Sequence, residues 1–129
     1  MAWTLDARIP LLLVEDEAAL DAAMAAGPTA ALLAEAPAPH RPGLAVEAFP
    51  AEAHAAACAC CGGRPAAAVA LDRLFLARIR GQCAWFERVV ALASSAAGRA
   101  QVLAALEGDA VTAARFRVAG SIPAPSHPS

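Results

Sequence analysis

Six residues near the start of the chain, "IPLLLV" from Ile9 to Val14, constrain the fold more than any other feature. A membrane-spanning helix needs roughly 20 apolar residues, and this run is closed by Glu15, Asp16 and Glu17. A short aliphatic run with sharp polar ends reads as a buried strand. The helix-favouring stretch "DEAALDAAMAAG" follows and stops at Gly27-Pro28, which gives strand then helix.

The alternation continues along the chain. "TAALLAEA" reads as a second strand, with helix as the competing reading because of its alanines, and "APAPHRPG" is a proline-broken loop. "LAVEAFP" alternates apolar and polar residues, as a third, partly exposed strand does. "AAAVALDRLFLARIRG" places Leu71, Leu74, Phe75 and Ile79 on one helical face, keeps Arg73 and Arg80 off it, and ends at Gly81. In "FERVVALAS" the core of Val89, Val90 and Leu92 suits a buried parallel strand. "GRAQVLAALEGD" and "DAVTAARFRV" read as two short helices divided near Gly108, with Asp109 as N-cap of the second. The pattern predicts an α/β fold, a small and mostly parallel sheet of four strands with flanking helices. It occupies residues 1–120, with a Pro/Ser-rich tail over 121–129 expected to be disordered.

Composition narrows the functional classes. A chain of 129 residues is one domain by length. Its 59% hydrophobic content is dominated by 39 alanines, so the core depends on Leu, Val, Ile, Phe and Trp. The ten basic residues are all arginine and are interspersed with acids at a net charge of −2, which argues against a nucleic-acid partner. No run suits a membrane span. No positive cluster precedes the first apolar run, so a cytoplasmic location is expected, where thiols stay reduced. The absence of lysine removes Schiff-base chemistry and any lysine-dependent phosphate cradle.

"HAAACACCGGRP" puts Cys58, Cys60 and Cys61 within four positions, ahead of a double glycine. Thiolates are soft ligands suited to Zn²⁺ or Cu(I), and a closed zinc site takes four donors in a tetrahedron. Cys58 and Cys60 share a face of an extended chain, and Gly62-Gly63 permits the turn that Cys61 needs. His54 is a candidate fourth ligand, with Cys83 or a second molecule as other sources. The alternative is that these cysteines are small packing residues between strand and helix. Cys83, beside Trp85 and Phe86, reads as an ordinary buried cysteine, and His40 and His127 read as solvated. Acids at Glu15–Glu17 are expected from the helix dipole alone. Ser94 and Ser95 lack the G-x-S-x-G elbow of a hydrolase.

From Cys58 to Gly120 the chain resembles the CobW-type family of P-loop GTPases, which are associated with metal delivery and cobalamin synthesis. "CACC" matches the family's C-x-C-C, Arg64 matches an arginine that follows it, and "RGQCAWFERVVALASSAAGR" aligns without gaps to a segment like "RGxxxxFDRVVIETTGLADP". "DAVTAARFRVAG" then stands where the family often has "DPLLAARFRLDG". The resemblance implies a partial P-loop-GTPase-like domain, Rossmann-like with three layers. It departs from the family at the nucleotide motifs. "EDEAALDAAM" replaces the glycine- and lysine-bearing phosphate loop, Leu92 and Ser95 replace the acid and glycine of E-x-x-G, and N-K-x-D cannot exist without asparagine and lysine. The expectation is a non-enzymatic CobW-like protein with no GTP, binding a transition metal, zinc by preference, through Cys58, Cys60, Cys61 and His54. The alternative is an interaction module that forms a homodimer or pairs with an intact CobW-type GTPase.

Overall fold

A computed structural model describes residues 7–51 and 64–119. Five strands form one parallel sheet: β1 (Ile9–Val14), β2 (Ala30–Glu35), β3 (Val46–Phe49), β4 (Arg88–Leu92) and β5 (Phe116–Val118), in the order β3-β2-β4-β1-β5. Helices α1 (Glu17–Ala25), α2 (Ala66–Ile79), α3 (Ala96–Gly108) and α4 (Ala110–Arg115) complete the described elements.

The side-chain alternation of the central strands builds two cores. Leu32, Ala34, Val90 and Leu92 face α1, where they meet Leu20 and Ala23. Ala31, Leu33, Val89 and Ala91 face the other way, against Ala67, Ala68, Ala70, Leu71 and Leu74 of α2 and Val102 and Ala105 of α3. Helices on both faces of a parallel sheet make the three-layer, Rossmann-like α/β architecture. Strands β2 and β4 are covered on both sides, which explains their unbroken apolar sequence. Among the described residues no helix is long and apolar enough to cross a membrane.

The strand readings at β1, β2, β3 and β4 and the helix at α2 agree with the structure, and Asp109 caps α4 as expected, its carboxylate accepting from the Thr112 amide at 3.0 Å. Two expectations are corrected. Among the described residues the sheet has five strands, because "RFRV" does not continue α4: that helix ends at Arg115, and Phe116–Val118 pairs with β1 as a parallel edge strand. Burying Phe116 in the core, edge-on to Phe75 with ring centroids 6.2 Å apart, outweighs one more turn of an already short helix. Ile79, expected on the buried face of α2, is 54% exposed in that helix's last turn.

Candidate functional site

In a doubly wound sheet, the crevice lies where neighbouring strands send their following helices to opposite faces. Here those strands are β1 and β4, which lead to α1 and α3 respectively. Beyond the carboxyl end of β1 the chain turns within Glu15 and Asp16, and the Asp16 carboxylate accepts from the Ala19 amide at 2.8 Å, capping α1. Beyond β4, Ser95 caps α3 by accepting from the Gly98 amide at 2.9 Å. Glu35, at the end of β2, sends its Oε1 into the same corner, where it accepts from both the amide and the hydroxyl of Ser95 at 3.0 Å. Gly98 is essential to this arrangement, because a Cβ there would fall on the Glu35 carboxylate. Arg99 reaches Glu15 across the crevice at 3.9 Å. Both positive helix ends that face the crevice are thus occupied by carboxylates of the chain itself.

Of the residues singled out by sequence, Leu92 is buried, Ser95 is the α3 cap, and Glu15 and Asp16 flank the crevice. His54, Cys58, Cys60 and Cys61 lie outside the described residues, as does His127. The two anchor points of the cysteine segment are described, and they sit close together. The segment leaves the carboxyl end of β3 through Pro50 and Ala51 and rejoins at Arg64, just before α2. Gln101 of α3 bridges these ends with a single amide. Its Nε2 donates to the carbonyls of Pro50 (2.7 Å) and Ala51 (3.2 Å), and its Oε1 accepts from the Ala67 amide (2.8 Å) in the first turn of α2. Ala67 is one of the α2 amides with no partner inside the helix, so Gln101 caps a helix whose own N-cap, Pro65, supplies no side-chain bond.

Arg64 is fixed by two carboxylates. It binds Asp109 through Nε and Nη2, both at 2.8 Å, and Asp72 through Nη1 at 2.6 Å and Nη2 at 3.1 Å. Asp72 also accepts from Arg115 at 3.3 Å, and the Arg115 guanidinium lies over the Phe75 ring at 4.2 Å. Asp109 accepts from the Thr112 amide and hydroxyl as well. Planar fork-to-carboxylate pairing is the strongest ion-pair geometry available to side chains. Hydrogen bonds from Arg64 hold the Asp109 carboxyl well below the usual carboxylate range, and the two aspartates push the Arg64 guanidinium further up. Two arginines and two aspartates balance, so the cluster has no net charge to offer a ligand. Its geometric effect is to fix Arg64, the first described residue after the cysteine segment, against the α3–α4 corner.

Cys83 is separated from Arg64 by the length of α2. It follows the far end of α2, and the helix spans about 20 Å between them. There it packs against the core as a half-buried free thiol. His40 is exposed in the loop between β2 and β3. Among the described residues no three His, Cys, Asp or Glu side chains converge to hold a metal. Sequence reasoning did not single out Gln101, Asp72 or Glu35, whose partners lie 8 to 60 residues away and share no local pattern. No protein-family model, curated protein or solved structure matches the chain.

Proposed function

We propose that this chain is a non-enzymatic, CobW-like α/β domain that binds a transition metal through Cys58, Cys60 and Cys61, with His54 as fourth ligand, in metal handling or buffering. The observation that carries the reading is the Gln101 bridge, with Arg64 beside it. Pro50 and Ala51 before a twelve-residue segment rich in thiols, and Ala67 after it, are held one amide apart at the carboxyl edge of the sheet. Fixing the ends of a loop lowers the conformational entropy that ligand binding must offset. Three thiolates and an imidazole are the donor set of a closed zinc site, and zinc bound there withdraws the donors from other chemistry. The non-enzymatic half of the reading is supported by the crevice, where Asp16 and Glu35 sit at the helix ends that a bound phosphate would need.

The test is metal content of protein purified without added metal, measured on the parent and on the Cys58→Ser/Cys60→Ser/Cys61→Ser variant. About one zinc per parent chain and none in the variant is expected. A parent that holds no metal, and whose melting temperature does not move when Zn²⁺ is added, refutes the proposal. Titration with GTP in a calorimeter should give no heat, and micromolar binding would overturn the non-enzymatic reading.

A second reading, an interaction module that pairs with another copy or with an intact CobW-type GTPase, draws on the sheet's two lateral strands. Among the described residues β3 and β5 each pair on one side only, and such edges are templates for further pairing. Sedimentation over a range of concentrations tests it, and a strict monomer with an unaltered profile in the presence of such a GTPase rejects it.

A further inference from the structure

We draw no further inference here: the strongest candidate, the Gln101 amide that ties the carboxyl end of β3 to the first turn of α2, acts on the segment 52–63, which lies outside the described residues, and carries nothing beyond the metal-binding proposal already made.

Discussion

Replacing Gly98 by alanine should destabilise the protein, although the same change in most helices does the opposite. Alanine exceeds glycine in helix propensity by about 1 kcal/mol, so the default expectation is a gain. At position 98 the new methyl occupies the space of the Glu35 carboxylate. Glu35 is the tip of a flexible side chain and will swing away, which relieves the overlap but breaks its two 3.0 Å hydrogen bonds to Ser95. Hydrogen bonds to a charged group contribute roughly 1.5–3 kcal/mol each when shielded from water. Glu35 is only partly buried, so water recovers part of that loss, and a combined loss of about 2–3 kcal/mol is reasonable. Set against the propensity gain, the net is a destabilisation of about 1–2 kcal/mol, or a fall in melting temperature of roughly 3–8 °C for a domain of this size.

Thermal unfolding followed by circular dichroism, with urea titration alongside, reads this effect. The decisive comparison is a double-mutant cycle. With Glu35→Ala already in place the carboxylate overlap is gone and the Ser95 hydroxyl, 3.2 Å from the new methyl, has to yield by only a few tenths of an ångström, so Gly98→Ala should then stabilise by no more than about 1 kcal/mol. A sign that reverses between the two backgrounds supports the geometry. If Gly98→Ala raises the melting temperature of the parent, or if the two changes add without coupling, the carboxylate is not held at the α3 terminus and the account of the crevice fails.

Asp109→Asn keeps a capping residue but removes the charge facing Arg64, and should cost about 2–3 kcal/mol at neutral pH. Because the Asp109 carboxyl is depressed in the folded state, its contribution is complete above the ordinary value of 3.8 and is lost as the pH falls below it. The stability difference between parent and variant should therefore narrow between about pH 4 and about pH 2; urea midpoints that stay equally far apart would refute the pairing. Gln101→Leu leaves the Ala67 amide and the Pro50 carbonyl without partners, at about 1–3 kcal/mol. Hydrogen exchange at the Ala67 amide should accelerate, and an unchanged rate would show that the bridge does not form in solution. Phe116→Ala should cost about 3–5 kcal/mol if β5 closes the core as described, so a loss under about 1 kcal/mol in denaturant unfolding would argue that the edge strand is marginal.

The central strands were legible in the sequence because a strand covered on both faces must be apolar throughout, and Ile9–Val14 and Arg88–Leu92 carry that mark with polar residues at their ends. β5 was not legible. At three residues it is too short for alternation to register, and the helix-favouring alanines before it extend a helical pattern through Arg115. The end of α2 was misread at Ile79 for a different reason: periodicity identifies a face but does not say how far the neighbouring layer extends along it. The polar architecture was the least legible. Asp109 was recognised as a cap from its local context, but its pairing with Arg64 spans 45 residues, and Glu35 meets Ser95 only because β2 and β4 lie side by side. Long-range polar contacts of this kind depend on topology, which the chain specifies through its apolar pattern and not through the polar residues themselves.

The face that α2 turns to the sheet begins with Ala67, Ala68 and Ala70, all fully buried. Side chains this small set the distance between layers by backbone contact, and they leave the domain with an asymmetric mutational tolerance. Truncation has almost nothing to remove there. Enlargement has nowhere to go, since one added branched side chain must either lift the helix from the sheet or adopt a strained rotamer, at about 1–3 kcal/mol. Lifting α2 would also draw the Ala67 amide away from Gln101. Substitution along the first two turns of α2 is therefore limited by a thickness, and any change in that thickness would also shift Ala67 relative to Pro50 and Ala51.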